Sequence, residues 1–169
     1  MQGNNTGPTQ HTNFLSKRLF AEIKNEVSFF KDKSVWMSSR FKDDWNHPDV
    51  QDGVYYIAIP SDEIKANILN ELNMTPDELD ECYYYLGDCY ASIGWHNRES
   101  ISVYLVDWET EWGGIFQYKD PNNNDEIKSI TPHQNLAITC QGELWHSVTQ
   151  ISPESPLQES LQIFLQTDK

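Results

Sequence analysis

Basic residues are scarce in this chain. Its 169 residues include 12 Lys and Arg against 26 Asp and Glu, a formal net charge of −14. Such a surface repels phosphate backbones, and Lys17, Arg18 and Lys24 only decorate one early helix, so nucleic acid is excluded as a partner class. Long apolar runs are missing, and no segment reads as a membrane span. The opening stretch MQGNNTGPTQH is polar throughout, which predicts neither a secretion signal nor a membrane anchor. Cysteine is rare as well. Cys82, Cys89 and Cys140 are the only three, an odd count that argues against a disulfide framework and for a reducing, cytoplasmic setting.

What is present describes a globular protein. Hydrophobic residues make up 38% and aromatics 12%, with six Trp and eight Tyr, a composition suited to half-buried strands. Residues 1–12 read as a polar tail and 13–169 as a single domain. From Asn13, the apolar set Leu15, Leu19, Ile23 and Val27 recurs every four residues and predicts a helix to about Phe30. A short β segment is expected at 34–41, then a turn-forming stretch, DDWNHPDVQDG, and a strand VYYIAI ended by Pro60. Ser61 caps a second helix with Ile64, Ile68, Leu69 and Leu72 as its buried stripe. Thr75-Pro76-Asp77-Glu78 is a capping box that predicts a further short helix.

After Cys82 the pattern turns to β, with strands expected near 83–86, 89–94, 100–106, 114–119, 127–131, 135–140, 145–150 and 159–166. Helices followed by about eight short strands give an α+β arrangement, a barrel or jelly roll buttressed by helices; periodicity alone also allows other β sandwiches.

Two tryptophan-histidine pairs carry the chemical signal. His96 lies in IGWHNRESISVYL and His146 in WHSVTQ, with SVYLVDWETEWGGIFQYKD and ITPHQNLAIT between and LQESLQIF beyond. Singly, each histidine reads as a satisfied core or surface residue. Together, over residues 93–164, these pieces resemble the C-terminal half of the prolyl-4-hydroxylase-like branch of the Fe(II)/2-oxoglutarate oxygenases. The resemblance implies a double-stranded β-helix (jelly roll) with His96 and His146 as metal ligands. It also implies Fe(II) and 2-oxoglutarate as cofactors, and hydroxylation of a peptide side chain, amino acid or small molecule. Two imidazoles and a carboxylate leave open positions on Fe(II) in such a site.

Two departures from the family pattern stand out. Arg98 occupies the place of the metal-binding aspartate, and guanidinium has no lone pair to donate. Glu99 is the nearest substitute, but in a regular strand it faces the other way, and only a bulge would turn it inward. The family's basic residue for the far carboxylate of 2-oxoglutarate falls on Gln158, with Gln162 the next residue on that face. Exchanging a cation for an amide there sacrifices ~2–4 kcal/mol of cosubstrate affinity. Arg98 is a candidate to receive that carboxylate instead. Loss of the carboxylate ligand also occurs in halogenase relatives, but a small residue makes room there and Arg98 does not.

Tyr85 is a candidate cofactor contact and Tyr104 a candidate catalytic residue. Tyr83, Trp95 and Trp145 are further pocket aromatics, with Tyr84 on the opposite face. His47-Pro48-Asp49 is a literal His-x-Asp but reads as a turn. Two other readings stay open: an inactive jelly-roll binding module, and a two-histidine metalloprotein that recruits another ligand such as Cys140.

Overall fold

A computed structural model describes residues 7–33, 37–38, 50–124 and 126–166. Twelve strands and two α-helices lie along them: β1 (Thr9–His11), α1 (Lys17–Lys33), β2 (Met37–Ser38), β3 (Val50–Asp52), β4 (Tyr55–Ala58) and α2 (Asp62–Glu71). Then come β5 (Leu79–Gly87), β6 (Ser92–His96), β7 (Ser100–Tyr104), β8 (Phe116–Asp120), β9 (Glu126–Ile130), β10 (Ala137–Cys140), β11 (His146–Val148) and β12 (Gln158–Leu165). They form two antiparallel sheets, one ordered β1-β10-β7-β12-β5-β4-β2 and the other β3-β6-β11-β8-β9. This is the α+β jelly roll expected from the sequence. Among the described residues no helix is long and apolar enough to cross a membrane.

The helices cover only the larger sheet. Leu19, Ile23 and Val27 of α1 and Ile64 and Ile68 of α2 pack on Tyr84, Val103, Leu161 and Ile163. Helix α1 starts at Lys17, not Asn13, because Asn13 adopts φ 50° and Phe14 donates its N–H to Asn135 O. The real cap is Ser16, whose Oγ accepts from Leu19 N at 3.2 Å. Ser61 caps α2 as expected, whereas the capping box at Thr75 opens only a single 3₁₀ turn at Pro76–Glu78 before β5 begins. That strand starts four residues earlier than its apolar core suggests.

Strand β12 shows how the sequence builds two layers at once. Its outward residues Glu159, Leu161 and Ile163 are buried beneath the helices, while Gln158, Ser160, Gln162 and Phe164 face the space between the sheets. A strand flanked by β5 and β7 and covered on both faces needs no polar side, so the period-two pattern is muted. The carboxylate of Glu159, 7% exposed, survives on the helix face because Lys24 Nζ donates to it at 2.6 Å and Lys31 Nζ also donates. Burial works against its charge, but those two ammonium groups hold its pKa below the ordinary range.

Two expectations are corrected here. Residues 9–11, read as tail, pair with β10 in register Thr9↔Thr139. Val50–Asp52, read as part of a turn, pair with β6. Edge strands of three residues leave too short a period to be seen in a sequence. His47-Pro48-Asp49 and most of the expected 34–41 strand lie outside the described residues.

Candidate functional site

Strands β6 and β11 are antiparallel neighbours, and their register sets His96 directly opposite His146. Both side chains point between the sheets, with ring centroids 4.1 Å apart and planes at 60°. Phe116 from β8 stacks against His146 at 5.5 Å. Each imidazole is oriented by the same local device. His96 Nδ1 donates to Gly94 O and His146 Nδ1 to Leu144 O, both at 2.8 Å. A carbonyl only accepts, so each Nδ1 carries the proton and each Nε2 keeps its lone pair. This is the tautomer a metal-binding histidine requires, held by the type of outer contact that usually supports one. Burial first, and then the nearby His96, push the pKa of His146 down to about 4, and the Leu144 carbonyl opposes the change only in part.

The larger sheet supplies the facing wall. Ser100, Ser102 and Tyr104 come from β7, Tyr85 from β5, and Gln158, Ser160 and Gln162 from β12. Hydrogen bonds fix the two amides. Gln158 Nε2 donates to Gly114 O at 2.9 Å, Gln162 Oε1 accepts from Ser102 Oγ at 2.7 Å, and Gln162 Nε2 donates to Ser160 Oγ at 2.9 Å. Burial raises the pKa values of Tyr85 and Tyr104 far above neutrality, so these phenols stay protonated. Every polar group on this wall is therefore uncharged.

The Trp112-Gly113-Gly114 turn lies against Gln158. Gly113 and Gly114 have φ of 66° and 58°, and a Cβ on Gly113 would lie 2.0 Å from Gln150 O. Only glycine lets the turn press onto β12 and the segment after β11 so closely.

The other expected residues lie elsewhere. Arg98 donates through Nη2 to Asp80 Oδ2 at 2.8 Å and Glu81 Oε2 at 2.7 Å, and its guanidinium lies 3.9 Å from the Phe164 ring centroid. Burial disfavours its charge, but the two carboxylates more than compensate and raise its pKa. Glu99 points to the β10–β11 connection, where Oε1 accepts from Gly142 N at 2.8 Å. Among the described residues no third His, Cys, Asp or Glu completes a metal cluster with the two imidazoles. Cys140 is buried beside Tyr104 and Phe116, and burial pushes its pKa up to about 12.

Trp95 and Trp145, expected in the pocket, are exposed on the outer face of the smaller sheet, where Lys119 Nζ lies 5.4 Å and 5.8 Å from their rings. Each precedes an inward histidine, so strand alternation sends it outward. Tyr84 faces the helices, where its hydroxyl bonds Glu26 Oε1 at 2.8 Å. Tyr55, Ser100, Ser102 and Ser160 are pocket residues that sequence reasoning does not single out. For Ser160 and Ser102 a signal exists, since they are same-face neighbours of Gln158, Gln162 and Tyr104.

Two unprotonated Nε2 atoms beside a cavity suit a divalent first-row metal. The dicarboxylate 2-oxoglutarate does not fit, since no described lining residue is cationic.

No family model matches the sequence, and no curated protein matches it either. Solved structures do match. A prolyl-4-hydroxylase from Pseudomonas putida is 16% identical with a TM-score of 0.62, covering 96% of this chain and 94% of its own. A prolyl hydroxylase from Trichoplax adhaerens, in complex with a hypoxia inducible factor oxygen degradation domain peptide fragment, is 14% identical with a TM-score of 0.70, covering 96% and 84%. HygX from Streptomyces hygroscopicus, with nickel and 2-oxoglutarate bound, is 12% identical with a TM-score of 0.66, covering 96% and 83%.

Proposed function

We propose that this chain, built on the fold of the Fe(II)/2-oxoglutarate oxygenases, is a metal-dependent oxidoreductase that holds Fe(II) through His96 Nε2 and His146 Nε2. Its substrate would be a small molecule or a peptide side chain presented at the cavity between the sheets. The observation that carries this reading is the matched pair of Nδ1 bonds to Gly94 O and Leu144 O, which leave both Nε2 lone pairs available. Neither bond is needed for strand pairing. Bound iron would supply redox and Lewis-acid chemistry at that point.

The chain's own groups do the rest. Phe116 fixes the plane of His146, and the uncharged wall of β7 and β12 limits water around the pair. In this reading Tyr104 and Tyr85 are hydrogen-bonding groups toward substrate, not proton-transfer groups, since both phenols stay protonated. Neither Arg98 nor Glu99 is given a role at the metal, because each is engaged elsewhere. Free thiols at Cys82, Cys89 and Cys140 fit a reducing, cytoplasmic setting.

The test is an anaerobic titration of the chain with Fe(II), or with Mn(II) as an air-stable substitute, followed by calorimetry. Saturable binding at one site, lost in both His96→Ala and His146→Ala, supports the reading. A second reading, a metal-free binding module, is favoured by the lack of a third metal-binding side chain among the described residues. Absence of metal binding, or binding indifferent to both substitutions, would establish that module and end the oxidoreductase reading.

A further inference from the structure

We infer that the wall facing the histidine pair cannot pair the far carboxylate of 2-oxoglutarate, so that the cavity excludes this cosubstrate, with Gln158 as the residue that sets this specificity. The inference rests on the reading of that cavity as the ligand site, but not on whether a metal occupies it. Charge comes first. The carboxylate that faces this wall, on leaving water for a buried site, needs a cation or several donors to replace its hydration. The wall offers serine hydroxyls, tyrosine phenols and two carboxamides, and among the described residues no lysine or arginine lines it.

The amides are also committed. Gln158, 4% exposed, donates one N–H to Gly114 O and so ties β12 of the larger sheet to the turn that leads into β8 of the smaller one. The fit is tight, since a Cβ on Gly114 would lie 2.8 Å from Gln158 Nε2. Gln162 is held at both ends of its amide by Ser102 and Ser160. A carboxylate would meet only neutral donors here, whereas a ligand hydroxyl can both accept from and donate to the same groups.

The nearby cations are out of reach for a different reason. Arg98 is held by Asp80 and Glu81, and Lys24 and Lys31 by Glu159, whose side chain leaves β12 on the opposite face from Gln158 and Ser160. A one-residue alternation thus puts the lysine cluster on the helix side of the sheet.

Calorimetric titration of the Mn(II)-loaded chain with 2-oxoglutarate tests this. No saturable heat below about 1 mM is expected. In Gln158→Arg, and in Gln162→Lys should the first variant fail to fold, binding should appear at least about tenfold tighter than in the unaltered chain. Tight 2-oxoglutarate binding by the unaltered chain would overturn the inference. So would folded variants that gain nothing, because the barrier would then lie elsewhere. Failure of Mn(II) to bind counts against the proposed function alone, and the same titration of the metal-free chain still decides this point.

Discussion

Acid should destabilise this protein through His146 in a way that one substitution can isolate. The imidazole is 3% exposed, and its pKa falls from an ordinary 6.5 to about 4, with burial as the main cause. A histidine with a depressed folded pKa is neutral in the fold and charged in the unfolded chain over the intervening range. The unfolded state then binds more protons, so stability is fully present above pH 6.5 and declines as pH falls toward 4. A tenfold difference in proton affinity between the two states corresponds to ~1.36 kcal/mol. Between pH 7 and pH 5 this group alone should remove about 2 kcal/mol. Other carboxylates titrate over the same interval, so the informative quantity is a difference.

Urea unfolding of the chelator-treated chain and of His146→Leu, at pH 7, 6 and 5, supplies it. The variant's fixed offset cancels, and its stability should fall by about 2 kcal/mol less across the range. Equal pH slopes in the two proteins would refute the reasoning, since His146 would then be hydrated or charged in the native state. Saturating Mn(II) should enlarge the difference, because binding requires the same neutral Nε2.

Two further outcomes test the frame around the site. Glu159→Gln removes the shared anion under α1 and leaves Lys24 and Lys31 facing an amide, which should cost about 1–2 kcal/mol in urea unfolding; a cost near zero would mean the two ion pairs are solvent-screened. Gly114→Ala adds a Cβ at φ 58° against Gln158 Nε2 and should destabilise by at least about 1 kcal/mol, with loss of Gln158's amide protection in hydrogen exchange. A variant as stable as the parent would show that the turn and β12 are not pressed together.

Much of the fold is legible because it follows local rules. The four-residue recurrence of Leu19, Ile23 and Val27 and the Ser61 cap mark the helices, and Pro60, Gly87-Asp88 and Gln141-Gly142 mark where elements end. Where α1 begins is not legible, since Leu15 continues the apolar pattern although Asn13 turns the chain left-handed. Strands β1 and β3 escape a sequence reading because three residues at a sheet edge are specified by their partners, not by their own composition. In the site, WHNRE and WHSV identify both histidines. The tryptophans before them were expected inward, against the alternation that an inward histidine demands of its neighbour.

Composition and residue order are enough to make the protein acidic, poor in cysteine and built of helices followed by short strands, and they carry His96 and His146 in two Trp-His pairs. Residue type alone also means that Arg98 gives no lone pair and Gln158 no charge. Folding was needed to make His96 and His146 cross-strand partners with matching tautomers. It also sent Arg98 to Asp80 and Glu81, and Glu99 to Gly142, away from the imidazoles. The cause is register: a strand's side chains alternate with period two, so which charge meets which imidazole depends on pairings between residues distant in sequence.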